Sequence, residues 1–212
     1  MQIEVLFADA SLIVANKPSG LLSVPGRGDD KQDCLSRRIQ AEFADALVVH
    51  RLDMSTSGLL LMARGAQVQR ELGHSFAMGL VRKRYLAVVS GQYPDTGEAG
   101  LTIDLPIGAD WSKRPLRQID WAAGKPSQTL VHCIGRDAHS NTSRVEMEPL
   151  TGRTHQLRVH MQAMGHPILG DALYAPQTIA AQASRLLLHA QALAFKHPYS
   201  GTLMTFDCPA DF

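Results

Sequence analysis

A polar segment of nine residues, His50-Arg51-Leu52-Asp53-Met54-Ser55-Thr56-Ser57-Gly58, separates two apolar runs at 47–49 and 59–62. Short apolar runs bounded by polar residues read as buried strands, so two rigid strands hold this segment from both ends. It gathers one carboxylate, one histidine, one arginine, three hydroxyls and a glycine. A lone Asp in a polar loop is ordinarily a turn or helix-cap residue. The other reading is a carboxylate presented for attack or proton removal. Two features favour the second. Asp53 has neither Pro nor Gly beside it, and a second dense cluster at 151–160, Thr-Gly-Arg-Thr-His-Gln-Leu-Arg-Val-His, could supply matching cations.

A chain of 212 residues is long enough to bury a sizeable core. Apolar residues at 45% and charged ones at 19% describe an ordinary globular protein, expected here as one domain over 1–212. No apolar run approaches a membrane span, and Met1-Gln2-Ile3-Glu4-Val5 lacks the basic start and apolar stretch of a signal peptide. No membrane partner is expected. Cys34, Cys133 and Cys208 are widely scattered and form no C-x-x-C pair, which fits reduced thiols in a cytoplasm better than a disulfide framework. The net charge of +1 excludes a crudely basic nucleic-acid binder, but the charge is unevenly spread. Residues 51–160 hold fourteen bases and ten acids, while both flanks are slightly acidic. A polyanion would bind the middle of the chain, although a solvated surface with chance asymmetry produces the same count.

In chain order, 3–7 and 12–15 read as strands joined at Asp9-Ala10, and Asn16-Lys17-Pro18-Ser19-Gly20 breaks the pattern. Asp33 is a plausible cap for a helix with Leu35, Ile39 and Phe43 on one face. A second helix over 66–78 buries Val68, Leu72 and Phe76. Arg82, Lys83 and Arg84 then enter a strand in which Tyr85, Ala87 and Val89 share a face. A basic run is usually a solvated loop. An aromatic at the mouth of a basic groove, however, can stack on an extruded base. Trp111 and the cations Lys113, Arg114 and Arg117 form either an RNA-facing loop or a surface loop anchored by a half-buried Trp. Further strands follow at 127–134 and 142–147. Thr154 can cap a helix running to Met164 and ended by Gly165, with Leu157, Met161 and Met164 as its core stripe. Strands outnumber helices without regular alternation, which predicts an α+β fold with a largely antiparallel mixed sheet flanked by helices and loops.

The order His50-Arg51-Leu52-Asp53 followed by Thr56-Ser57-Gly58 resembles the signature of the RluA family of RNA pseudouridine synthases. Asn16-Lys17-Pro18-x-Gly20 with Leu21-Leu22-Ser23-Val24-Pro25-Gly26, Lys83-x-Tyr85, and Gly152-Arg153-Thr154-His155-Gln156-Leu157-Arg158-x-His160 match that family as well. So do 165–171 and Arg185-Leu186-Leu187-Leu188-His189. The resemblance spans nearly the whole chain and is closest to single-domain members of dual specificity. It implies the pseudouridine synthase catalytic fold without the small RNA-binding domain that precedes it in larger relatives. It also implies catalytic roles for Asp53, Tyr85 and Arg158. Asp53 would attack C6, attack C1′ or remove the C2′ proton. Tyr85 would pack on the uracil or take the C5 proton, and Arg158 would pair with Asp53. Arg51 would fill the space left by a flipped base, and Leu187 or Leu188 would line the uracil pocket. His50, Thr56, Lys83, Arg84, Arg153 and His155 complete the expected RNA-contacting set.

The implied reaction isomerises specific uridines in 23S rRNA, in the anticodon stem-loop of tRNA, or in both. Nothing is added or lost, so no metal and no redox cofactor is expected. Nine histidines invite a zinc reading, but there is no H-E-x-x-H, and His155 and His160 fall on different helix faces. No obligate protein partner is expected, and the chain reads as a monomer. Two rival classes are an RNA-binding or RNA-folding module without chemistry, and a glycosidic hydrolase, which would want a second carboxylate near the first.

Overall fold

The computed structural model describes residues 3–212. The chain runs β1 (Glu4–Ala8), β2 (Leu12–Lys17), α1 (Leu35–Gln40), β3 (Ala46–Val48), β4 (Ser57–Arg64), α2 (Ala66–Ala77), β5 (Arg82–Ser90), β6 (Leu101–Asp104), β7 (Ile107–Ala109), β8 (Arg117–Ile119), β9 (Gln128–Asp137), β10 (Thr142–Pro149), α3 (Gln156–Ala163), α4 (Gln177–Ala180), β11 (Leu188–Lys196) and β12 (Leu203–Asp207). This is the α+β class, rich in strands. It divides into two compact units, one of residues up to Lys83 with His189–Asp211, the other Arg84–Leu188 with Phe212.

The first unit is built around β4. One edge of β4 pairs antiparallel with β2, which pairs onward with β1. Its other edge meets β11 in parallel at Ser57 and Gly58, and β3 in antiparallel fashion at 62–64. A strand covered on both faces needs apolar residues at every position, and Leu59, Leu60, Leu61, Met62 and Ala63 are all fully buried. Leu59, Leu61 and Ala63 pack with Leu12 and Val14 against Val68 and Leu72 of α2. Gly58 has φ of 108° and sits on the β11 backbone, where a Cβ would come within 2.6 Å of Ala190 N. Only Gly fits that crossing.

The second unit carries the antiparallel ladder β5–β10–β9–β6. Ala87, Val89, Val131, Val145 and Met147 form its core with Leu157 and Met161 of α3. Tyr85 packs against this core from the same face as Ala87 and Val89. The short hairpin β7–β8 forms a separate two-stranded sheet, whose Ile107 packs with Val159 and Tyr174.

Several local expectations are corrected. Asp33 does not cap α1. The cap position is Cys34, and Asp33 instead forks with Arg38 at 2.6 Å on the surface. Phe43 lies beyond the end of this six-residue helix. Thr154 does not cap α3, which begins after His155 in a left-handed conformation (φ 58°) with no side-chain cap. Met164 falls outside the helix stripe and is exposed. Trp111 is 73% exposed, so it anchors nothing by burial. The three cysteines are free thiols. Among the described residues no helix is long and apolar enough to cross a membrane.

Candidate active site

Asp53 stands in a loop whose backbone is bonded at almost every residue. Its own carbonyl accepts from Thr56 N at 3.1 Å, so Asp53 opens a β-turn, contrary to the expectation that it would not. Asp is in fact favoured at the first position of such turns, and the absence of a neighbouring Pro or Gly does not count against it. On one side Ser23 Oγ donates to Leu52 O at 2.7 Å and accepts from Leu52 N at 3.1 Å. On the other side Met54 O accepts from Gly20 N at 2.9 Å and Lys17 Nζ at 3.0 Å, while Ser55 O accepts from Ser19 Oγ at 2.7 Å. The Lys17–Ser23 segment is therefore a cradle for the Asp53 loop. Asp53 itself is half-buried, and Arg51 beside it is exposed.

Lys17 is the unusual member. It is fully buried, and its ammonium donates to Pro18 O, Leu21 O and Met54 O at 2.9, 2.7 and 3.0 Å. Burial pulls its pKa down to about 8, and the nearby Asp53 carboxylate opposes that fall. The sequence shows Lys17 only as one letter of a motif. What it lacks is any sign that the charge is buried beside Asp53.

His50 closes the entry to the loop. Its Nε2 accepts from Leu61 N at 3.0 Å, so the proton of the neutral ring belongs on Nδ1. The ring stacks on Phe76 with centroids 4.4 Å apart. Burial, helped by the Lys83 charge, pushes its pKa down to about 3. It stays neutral at physiological pH and offers no cation. Lys83 is itself half-buried, and burial lowers its pKa. At the loop's exit Thr56 and Ser57 are buried. Ser57 Oγ meets His189 Nδ1 at 2.9 Å, and His189 Nε2 faces Cys208 O at 2.8 Å. A carbonyl only accepts, so Nε2 carries the proton and Ser57 donates to Nδ1. This ties β4 to β11 exactly where Gly58 admits it.

The second unit holds the other expected residues. Arg158 is 3% exposed on α3, not a surface cation. Its Nε and Nη2 form a two-pronged pair with Asp171 at 2.8 and 2.6 Å. Asp171 is fully buried and also accepts from Leu173 N and Tyr174 N. The Tyr174 ring lies 5.1 Å from the Arg158 guanidinium carbon, and its hydroxyl contacts His155 Nδ1 at 2.6 Å. Gln156 replaces a cap: its Oε1 accepts from Arg153 N and Thr151 Oγ1, and its Nε2 donates to Gln128 O and Thr129 Oγ1. Arg153 is exposed, with Nε donating to Pro126 O at 3.2 Å. Arg84 pairs with Glu146 at 3.3 Å, and Leu188 lies in the core. Among the described residues, no group of three or more His, Cys, Asp or Glu is placed to hold a metal ion.

The sequence of residues 11–163 matches the family model described as RNA pseudouridylate synthase. The chain belongs to this family. Pseudouridine synthases isomerise uridine to pseudouridine in RNA, and this chain is such an enzyme. It is 49% identical over 208 residues to the dual-specificity RNA pseudouridine synthase RluA of Escherichia coli O6:H1, covering 98% of this chain and 93% of that one. The protein of the same name from Yersinia pestis is also 49% identical, with 98% and 99% covered. Among solved structures, human RNA pseudouridylate synthase domain containing 1 is similar, with a TM-score of 0.80 at 29% identity, covering 99% of this chain and 84% of that one. Human RNA pseudouridylate synthase domain containing 4, at 22% identity and a TM-score of 0.74 over 97% of this chain and 88% of that one, shares the fold.

Membership in the pseudouridine synthases gives the cradle and the clamp a common meaning, since both hold charged motif residues still. Asp171 and Tyr174 were missed as partners of Arg158 and His155 by reading the sequence. For Asp171 the signal was its place at the end of the 165–171 segment that resembles the family, whereas Tyr174 lies beyond every quoted motif.

Proposed function

We propose that this synthase acts on specific uridines of 23S rRNA, of the tRNA anticodon stem-loop, or of both, as a cytoplasmic monomer with Asp53 as the catalytic residue. The observation that carries this reading is the cradle. Leu52, Met54 and Ser55 are each held by a side chain or amide of residues 17–23, so Asp53 is presented in one position. Pre-positioning a reacting group is worth a large part of a barrier, provided the group is fixed before substrate arrives.

In the proposed reaction the N1–C1′ bond breaks, the uracil turns, and a C5–C1′ bond forms. The C5 hydrogen leaves as a proton and N1, freed from C1′, takes one up, so atoms and electrons balance with no added group. Extrusion of the uridine costs a few kcal/mol, least where the base is already in a loop. Exposed Arg51 fills the vacated stack. Tyr85 packs on the base or receives the C5 proton. Arg158, oriented by Asp171, pairs with the catalytic carboxylate. Thr56, Lys83, Arg84, Arg153, His155 and Leu188 serve the RNA or the uracil, and His50 shapes the loop that bears Asp53.

Tritium release tests the assignment. RNA transcribed with [5-³H]uridine gives up tritium to water only if the base is rejoined through C5. Release from an unmodified tRNA or 23S rRNA transcript is the expected result. RNA binding without release would favour a module that binds and does not react, and free uracil in the supernatant would favour a hydrolase.

A further inference from the structure

The hairpin β7–β8 carries two features that the catalytic reading leaves unused. Its inner face is committed, because Ile107 packs with Val159 and Tyr174, Leu116 and Ile119 pack against them, and Arg117 N donates to Tyr174 OH at 3.0 Å. Its tip, residues 110–116, is closed by Asp110 N to Leu116 O at 3.1 Å and Leu116 N to Lys113 O at 2.9 Å. Asp110 Oδ1 accepts from Ser112 Oγ, Ser112 N and Lys113 N at 2.6, 3.1 and 3.1 Å. The one carboxylate of the tip is thus turned into its own loop, and the loop is fixed without help from a ligand.

On this rigid support Trp111 is 73% exposed. The Arg114 guanidinium carbon lies 4.4 Å from the Trp111 ring centroid, covering one face of the indole. Lys113 and Arg114 are exposed, and Arg117 is half-buried, with an Nε that has no hydrogen-bond partner among the described residues. Burying a Trp is one of the larger apolar gains open to a folding chain, and this one is left in water. The charges around it are mainly positive, three cations against the single inward-turned Asp110. A flat aromatic with a guanidinium on one side and further cations nearby suits a nucleobase flanked by phosphates.

We propose that the tip of this hairpin is an RNA-docking platform: a base of the substrate RNA stacks on Trp111, and Lys113, Arg114 and Arg117 take the adjoining phosphates. This rests on the RNA-modifying reading above, and it adds a contact at the hairpin tip to the residues assigned to chemistry. Binding there raises affinity and leaves the chemical step alone.

The protein has two tryptophans, Trp111 and Trp121, so Trp121→Phe leaves Trp111 as the sole indole emitter. Trp121 is 75% exposed, beyond the opposite end of the hairpin, and is assigned no role here. The Trp121→Phe protein is titrated with unmodified tRNA and 23S rRNA transcripts, using whichever the wild type turns over in the tritium assay. The expected result is saturable quenching of Trp111 emission. In parallel, Trp111→Ala should raise KM by roughly 5- to 100-fold with kcat within about twofold, as expected for the loss of one stacked base. Trp111→Phe should recover most of that KM, and Trp111→Leu should not. Lys113→Gln and Arg114→Gln should each reduce the slope of log KM against log salt by about one. Unchanged emission at saturating RNA, or unchanged KM in Trp111→Ala, overturns the proposal, as does a shift to a smaller oligomer in Trp111→Ala with KM intact. An inactive wild type would instead overturn the functional reading, so the two failures are separable.

Discussion

Two regions of this protein immobilise a charged side chain by opposite means. In the first unit the Asp53 loop is held through its backbone, with residues 17–23 bonding to Leu52, Met54 and Ser55. In the second unit Arg158 is held through its side chain, by a buried two-pronged pair with Asp171. The difference is one of tolerance. A backbone cradle survives replacement of the side chain it presents, because the bonds belong to the neighbours. A side-chain clamp fails when either partner changes, and it leaves the other as a buried unpaired charge.

The largest effect should come from testing the cradle's independence. Asp53→Asn is expected to keep the fold and RNA binding and to lose all detectable turnover in the tritium assay. Pseudouridine formation by a well-folded Asp53→Asn protein would remove Asp53 from the chemistry. Loss of folding in that variant would show that the loop is not held by its backbone.

Arg158→Ala should behave oppositely and destabilise the protein by about 3–5 kcal/mol in chemical denaturation, since Asp171 is left charged and fully buried. Arg158→Lys keeps the charge without the fork and should lower kcat more than it weakens RNA binding. An ordinary phosphate-binding Arg would show weaker binding, a flatter salt dependence and normal kcat at saturation. That pattern, with stability unchanged, would break the comparison.

Lys17 is where the cradle itself carries charge. Its folded pKa of about 8 lies below the ordinary 10.5, so the cost of burying the ammonium is complete below about pH 8. That cost is relieved as pH rises from 8 toward 10.5, where the folded form has already released its proton. The same deprotonation removes a positive charge near Asp53. We expect kcat to fall as pH rises through about 8, and Lys17→Met to be about tenfold slower with no such fall, a loss equivalent to about 1.4 kcal/mol of barrier. A wild-type profile that is flat from pH 7 to 9 would confine Lys17 to a structural role.

The smallest effect is reserved for Tyr85→Phe. If the ring only stacks, Phe should retain most of the activity, whereas a proton-accepting hydroxyl predicts a stall after glycosidic cleavage. Tyr85→Leu should bind RNA more weakly by roughly 1–3 kcal/mol in either case. Full activity in the Leu variant would exclude Tyr85 from the site.

Hydrophobic pattern and residue order were sufficient for the strand-rich α+β class, for the buried run at 59–62, for the apolar face of α2 and for Asp53 as the residue to examine. Each of these depends on neighbours in sequence, through the periodicity of side chains or the identity of a contiguous motif. Cap positions were less legible. Asp33 and Thr154 have the right chemistry, but Asp33 is drawn to Arg38, and Gln156 takes over the amides and hydroxyls at the start of α3. Motif matching also brought Lys17 and Asp171 into view without saying what they do. Lys17 bonds Met54 O, 37 residues away, and Asp171 clamps Arg158, 13 residues away across a turn. Only the tertiary structure decided that one cation is buried beside Asp53 and the other is locked by a carboxylate, because the cost of burying a charge depends on which distant groups the fold brings within hydrogen-bond reach.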